Sequence, residues 1–475
     1  MNVIKKIIKN EDNEILLMGL LISFLILVFK ELISTYISSI VTLFPTIFIF
    51  LYFIIKLLKH SIKFKKYDYV FGIFLVFGLF SGFFHNQYPV AVIYQVKSLG
   101  IYYLLYMIVR NTKFKQIQIE YMVKIMNGVT LLLILFSLIE ILGEKTFLFP
   151  KEWADSIVYS DNYIRSYSLI CNPNLYAFYL LFVMIINFEF NKAKYSNKSL
   201  LIYILCILGI ILSISRSAFI CLLFVIFLFI FNFVKELKKN KENAKYICSI
   251  ILVFLVPVFL SNLIYQFVNY NNIPIITSKG VNLQERLNIG SEASKPNRTT
   301  PKDPIDSNKE IENIVKDNVE NNDAIEKQNF FTRMFDMVES KFVKESLGNG
   351  RLAVVAFGLE NLKKDPIFGT GFSSFLTASS FLNPNSVVHN SNLKYSDNQY
   401  IAILVETGLC GMLICMVFIV MFIKDMVINN KKISLIATII FLFFGMFINV
   451  LEVQLISFVY FVFIGLEKEK NNGWS

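Results

Sequence analysis

The sequence is poor in the groups that metal and nucleotide chemistry usually needs. It holds three histidines in 475 residues, at positions 60, 85 and 389. The six cysteines, Cys171, Cys206, Cys221, Cys248, Cys410 and Cys415, all fall in apolar runs without metal-ligand spacing. They read as core thiols, so neither a metal site nor a disulfide framework is expected. There is no P-loop, no HExxH and no GxSxG in its proper context, which leaves soluble nucleotide chemistry without a home and calls for no cofactor. No internal repeat is evident. The basic N-terminal stretch runs into a long apolar segment without a small-residue cleavage site, so a retained first helix is expected there.

What the chain has in excess is apolar surface. Its hydrophobic content is 55%, with 48 phenylalanines, whereas soluble chains hold about 45–50% apolar residues. This composition predicts a polytopic membrane protein. The net charge of +11 is spread over many short loops, where lysines record membrane orientation, so no nucleic-acid partner is expected.

A crossing needs roughly 20 apolar residues to span about 30 Å of hydrocarbon, and the hydropathy pattern gives about twelve such segments. They fall near 15–30, 32–55, 68–84, 90–109, 124–143, 171–188, 199–213, 216–234, 246–268, 397–423, 433–449 and 453–466. Basic clusters at 56–66, 110–115, 192–198, 235–245 and 424–432 belong on the cytoplasmic side by the positive-inside rule, so an even number of crossings separates neighbouring clusters. As a single helix, residues 199–234 would run roughly 54 Å, far beyond the hydrocarbon, so the chain must turn back near Ser213–Ser217. Arg216 is thereby expected at the outer face, with further turns at Lys30-Glu31 and Glu452 and both termini in the cytoplasm.

The fold expected is therefore all-α, a polytopic membrane bundle with a large, partly helical extracytoplasmic loop. Three regions follow: a membrane bundle of about nine spans over 1–268, the loop 269–396, and about three spans with a cytoplasmic tail over 397–475. Within the loop, residues 278–328 are polar, low in aromatics and marked by prolines, and are expected to be disordered.

Chemistry concentrates around residues 348–411. Arg351 opens an amphipathic run that ends at Asp365-Pro366 and the Gly369/Gly371 turn. His389-Asn390 and Asp397-Asn398 follow, and the next apolar span carries Glu406 before the close-packing pair Gly408 and Gly411. Four cations fall at or near the outer face: Lys97 within a span, Arg165, Arg216 and Arg351. Guanidinium forks match phosphate oxygens and stay charged, so an anionic head group is the ligand they would suit. His389 could act as general base toward a sugar hydroxyl or orient it. Plainer readings stand beside these. Lys97 can snorkel or pair with Glu406, Glu406 can be structural and hydrogen-bond across helices, and Arg216 can anchor at the interface. Asp397 can serve as a helix N-cap with Asn398 in the first turn, and Asn172-Pro173-Asn174 as a capped helix start. Tyr94, Tyr102, Tyr103, Tyr159, Tyr163 and Tyr167 can line a sugar path or form an interfacial belt.

Three stretches together, RSYSLICNPN (165–174), SISRSA (213–218), and the Arg351 helix through DPIFGTGF, His389-Asn390 and DNQYIAILVETGLCG, resemble the O-antigen ligase and Wzy-type polysaccharide polymerase superfamily. The resemblance covers about 160–466, with the early spans alike in hydropathy only and 278–328 unlike the family's shorter link. It implies a bacterial plasma-membrane enzyme that transfers a polyprenyl-diphosphate-linked glycan to an acceptor hydroxyl without metal or cofactor. Arg216 and Arg351, with Arg165 and Lys97, would hold the lipid diphosphate. His389 would activate or place the acceptor, and Asn172, Asn174, Asn390, Asp397, Asn398 and Glu406 would line the site. Partners would be the lipid-linked oligosaccharide, a glycan acceptor, membrane lipid and other assembly proteins such as a flippase or chain-length regulator. The reading is polymerisation of lipid-linked repeat units into a capsular, exopolysaccharide or O-antigen-like chain. Its alternatives are ligase-type transfer to a lipid, wall polymer or protein, and a flippase for the same lipid-linked sugar.

Overall fold

The computed structural model describes residues 13–142, 165–190, 197–237, parts of 253–264, 350–387 and 398–467. Among these residues the chain is helical, without strands. It divides into two compact units, one of residues 1–279 with 360–475 and the other of residues 280–359. Of the second unit, the described part is the beginning of helix α10, Gly350–Leu362.

The first unit is built from α1 (Asn13–Val28), α2 (Lys30–Tyr36), α3 (Phe44–Leu58), α4 (Lys66–Phe84), α5 (Pro89–Arg110), α6 (Gln116–Leu142), α7 (Pro173–Phe190), α8 (Asn197–Leu212), α9 (Arg216–Leu237), α11 (Gln399–Ile428), α12 (Lys432–Phe444) and α13 (Gln454–Leu466). Six helices among the described residues are long and apolar enough to cross a membrane, or seven if the bent pair α1–α2 is one crossing. Residues 199–212, 216–227, 432–444 and 454–466 form shorter apolar helices. The chain is a multi-pass membrane protein. Buried positions run almost unbroken through α7, from Tyr176 to Phe188, which places this helix inside the bundle instead of against lipid.

The turns inferred from charge parity are present at 213–215, where α8 stops at Leu212 and α9 starts at Arg216, and at 450–452, a short 3-10 turn before α13. The first hairpin differs. Instead of one turn at Lys30-Glu31, the chain bends by 74° between α1 and α2, passes through a 3-10 stretch at Ser39–Leu43 and only then enters α3. Ser38 caps the 3-10 stretch and Pro45 lies in the first turn of α3, so the helix starts later than the apolar run does.

One end of the bundle is held by charge. Arg110 donates to Asp68 at 2.7 and 3.2 Å, Tyr103 donates to Asp68 at 2.6 Å, and Lys65 meets Asp425 at 2.9 Å. Lys65 also opens α4 through its backbone N–H, which donates to Asp68 Oδ2 at 2.6 Å. Tyr103 therefore belongs to this internal network and not to a path for sugars. Of the cysteines among the described residues, Cys206, Cys221 and Cys415 are buried and Cys171 and Cys410 half-buried, all as free thiols. Cys248 lies outside the described residues.

Candidate active site

The opposite end gathers the turns 85–88, 165–172, 213–215 and 445–453 together with the stretch 363–387. Two clusters form there. The first joins the 165–174 stretch to the 213–216 turn. Arg165 donates from Nε to the Ser213 carbonyl at 2.9 Å and from Nη2 to Asn174 Oδ1 at 2.7 Å. Asn174 Oδ1 also accepts from Ser215 Oγ at 2.9 Å, and the Ser166 N–H donates to the Leu212 carbonyl at 3.0 Å. Asn172 caps α7 by accepting from the N–H groups of Asn174 and Leu175 at 2.9 and 3.2 Å. Underneath, the buried Glu140 accepts through Oε2 from Ser166 Oγ and from the N–H groups of Tyr167 and Ser168. Arg216, one residue after Ser215, opens α9 with an exposed side chain and no hydrogen bond or ion pair among the described residues.

The second cluster is a break in a membrane helix. Were it straight, the thirty residues of α11 would run about 45 Å. They do not, because Gly408 has φ 63° and ψ −167° and interrupts the helix. The backbone groups released at the break are taken up by residues 366–371. The N–H groups of Leu409 and Cys410 donate to the carbonyls of Pro366 and Ile367 at 3.0 and 3.1 Å, while the carbonyls of Val405 and Glu406 accept from Thr370 and Gly371 at 2.9 Å each. An unpaired backbone group at membrane depth costs several kcal/mol, so the inserted loop is what makes the break tolerable. The two chains touch at glycines: a Cβ on Gly369 would lie 2.4 Å from Gly408 N, and one on Gly408 would lie 2.3 Å from the Ile367 carbonyl. Gly408 is therefore a helix break as well as the close-packing position its spacing suggested, and Gly411 packs against Thr407 of its own helix and Phe77 of α4.

Glu406, 1% exposed, sits beside this break. Its carboxylate accepts from the Phe375 N–H at 3.1 Å, from Thr377 Oγ1 at 3.2 Å and from Gln95 Nε2. Gln95 Oε1 in turn accepts from Ser379 Oγ at 2.7 Å and from the Ser373 N–H. Nearby, Asn383 donates to Gln87 Oε1 at 2.7 Å and to the Ser373 carbonyl at 2.8 Å, and the Val387 N–H donates to the Ser374 carbonyl at 3.0 Å. Lys97 makes no pair with Glu406. Two residues beyond Gln95 on α5, it faces elsewhere, with its ammonium 3.8 Å from the Tyr94 ring centroid. At the mouth of the insert, Asp365 accepts from the N–H groups of Ile367 and Phe368 at 3.2 and 3.0 Å, and His85 Nε2 lies 3.4 Å from Asp365 Oδ2. Partial burial pushes the Asp365 carboxyl upward, but the Phe368 N–H and His85 outweigh it and hold the carboxyl below its ordinary value.

Of the residues singled out in the sequence, the structure thus joins Arg165, Asn172, Asn174 and the turn bearing Arg216, and places Glu406 in a network of the chain's own groups. Asn398 is the N-cap of α11, accepting from Tyr400 and Ile401, so the cap is not Asp397. Arg351 lies in the first turn of α10, and its side chain is outside the described residues. So are His389, Asn390 and Asp397, and residues 278–328. Gln95 and Glu140 were not anticipated. A lone amide or carboxylate in an apolar run was the available signal.

Residues 201–416 match the family model Wzy_C, described as O-antigen ligase. The match supports the O-antigen ligase and Wzy-type superfamily. It starts in α8 and ends in α11, so the Wzy_C region takes in Arg216, Arg351, His389, the inserted loop and Glu406, and leaves out Lys97, Arg165 and Gln95. Wzy_C proteins are glycosyltransferase-like enzymes, and the family suggests ligase- or polymerase-type activity on lipid-linked glycans. No curated protein and no solved structure matches the chain.

Proposed function

We propose that the protein polymerises polyprenyl-diphosphate-linked oligosaccharide repeat units at the outer face of a bacterial plasma membrane. The observation that carries this reading is the uncommitted guanidinium of Arg216, exposed on a turn that Arg165 and Asn174 hold in place. In the reaction, the bond between the anomeric carbon and the diphosphate oxygen breaks and the acceptor hydroxyl oxygen forms the new glycosidic bond. Its proton passes to a base, and the diphosphate leaves on its lipid. Arg216, with Arg351 and Lys97, neutralises the charge that develops on the departing diphosphate, and Arg165 frames the turn that presents Arg216. His389 takes or orients the acceptor proton. Asn390 and Asp397 complete the acceptor side. A diphosphate is already a good leaving group, so positioning two glycans together supplies much of the remaining acceleration.

Ligase-type transfer uses the same donor chemistry and differs only in the acceptor. A flippase reading would draw on the broken helix, since discontinuous helices often mark transport sites. Here, however, the backbone groups of Val405, Glu406, Leu409 and Cys410 at the break bond to the chain's own loop.

The test is purified protein in bilayer discs with a lipid-linked repeat unit as the sole glycan, scored for chain length. The parent is expected to build polymer, and Arg216→Ala to lose on the order of 10²–10³-fold in rate while remaining inserted. Polymer at the parent's rate from Arg216→Ala would remove Arg216 from the reaction. Transfer to a different acceptor with no self-polymerisation would replace polymerase by ligase, and movement of the lipid without glycan transfer would replace both.

A further inference from the structure

We propose that Glu406 and Gln95 are positioning residues, a buried pair that keys the segment 365–387 across the break in α11 and so fixes the outer end of the site. The inference rests on the reading of the protein as a glycan transferase and adds to it a part played by groups that touch no substrate.

Glu406 follows the N-cap Asn398 by eight residues, or about 12 Å of helix, and is 1% exposed. A carboxylate at that depth calls for partners. Three groups of the chain donate to it: the Phe375 N–H, Thr377 Oγ1 and Gln95 Nε2. Two of the three belong to the inserted segment. Gln95 repeats the arrangement with opposite polarity, its carbonyl accepting from Ser373 and Ser379 while its amide donates to Glu406. The pair is therefore a bridge from α5 and α11 into residues 373–379, and the bonds of 366–371 across Gly408 fasten the same segment one turn away.

What hangs from the two ends of this segment gives the bridge its consequence. Asp365 begins it, three residues after the end of α10, the helix that Arg351 opens. Val387, pinned to the Ser374 carbonyl, ends it, and His389 follows two residues later in sequence. Loosening the middle of the segment would thus disturb the roots of both stretches that carry proposed catalytic residues. A displacement of about 1 Å is enough to cost on the order of 10²-fold in a positioned reaction.

Donor and acceptor counting supplies a specific test. Glu406→Gln sets two amides against each other and leaves an N–H₂ group facing N–H₂. Adding Gln95→Glu restores one amide and one carboxylate with their roles exchanged, because residue 95 still accepts from Ser373 and Ser379 and residue 406 still accepts from Phe375. Two readouts are taken on the full chain in bilayer discs: hydrogen exchange of the 373–379 amides, and transfer from a lipid-linked repeat unit. Glu406→Gln is expected to speed exchange at Ser373 and Phe375 and to lower kcat by about 10–100-fold, with KM for the donor within about threefold of the parent. The exchanged pair is expected to return both readouts to within about threefold. Thr377→Val, which removes one donor without touching either member of the pair, gives the same pattern in smaller measure if Glu406→Gln fails to accumulate. Unchanged exchange in Glu406→Gln overturns the proposal. So does an exchanged pair that recovers yield and thermal stability but not turnover, since that marks a purely structural role. If the parent itself transfers no glycan, the functional reading fails separately, and the exchange data still decide whether the pair holds the segment.

Discussion

The two ends of the bundle solve the problem of polar groups in a membrane by different means. At the Arg110 end, full charges meet: Arg110 and Asp68, with side chains 8% and 1% exposed, lie 2.7 Å apart, and Tyr67 and Tyr103 take the bonds left over. At the Arg216 end the half-buried Arg165 and the buried Glu140 and Glu406 bond instead to backbone, amide and hydroxyl groups, and the inserted segment meets α11 at glycines. By the second means a site keeps an arginine uncommitted among the described residues. Arg110 is consumed by structure. Arg216 is not, because Arg165, Asn174 and the serines at 213 and 215 shape its turn without it.

Three substitutions or conditions would break this contrast, in falling order of effect. Asp68→Asn removes one partner of the buried pair and leaves Arg110 without its counter-charge, a loss of about 3–5 kcal/mol in buried sites. Thermal unfolding in detergent is expected to show a large drop in midpoint while any protein that remains folded still transfers glycan. A midpoint near the parent's would mean that the charged end does not hold the bundle. Next, Gly408→Ala forces a side chain into φ 63° and against the Ile367 carbonyl. Strain of this kind costs about 1–3 kcal/mol. Here stability and transfer should fall together, because the same contact closes the helix break and seats the insert. A variant as stable as the parent would show that the glycine contact is not needed. The smallest effect is acid sensitivity at Asp365, whose side chain is 30% exposed. Since its folded-state carboxyl is held below the ordinary value, its contribution is present above the usual carboxylate range and disappears as pH falls through that lowered value. Below about pH 4, the parent is therefore expected to lose a small stability margin that Asp365→Asn lacks. Parallel acid profiles for the two proteins would count against the assignment.

The helical membrane fold and the hairpin at 213–217 were legible in the sequence, because length and lysine placement act locally and leave marks in composition. The joining of Arg165 and Asn174 to that hairpin was legible only as three stretches sharing a face, without bonds. The helix break was not legible. Gly408 in an apolar run looks like any small packing residue, and its explanation lies in Pro366–Gly371, some 40 residues earlier in the chain. A carboxylate at Glu406 shows in the sequence as a group that needs partners, but not which ones, since Gln95 is a single amide more than 300 positions away. The first hairpin was misplaced because the apolar run continues through a segment whose caps, Ser38 and Pro45, carry the boundary.

The interrupted α11 also bears on how the chain is assembled. Residues 366–371 are synthesised before α11, so the groups that will close its gap already exist when that helix is threaded into the bilayer. A ribosome-bound chain stopped after α11 would therefore be complete at this point, whereas α11 transplanted alone into another protein would carry two bare carbonyls and two bare amides into oil.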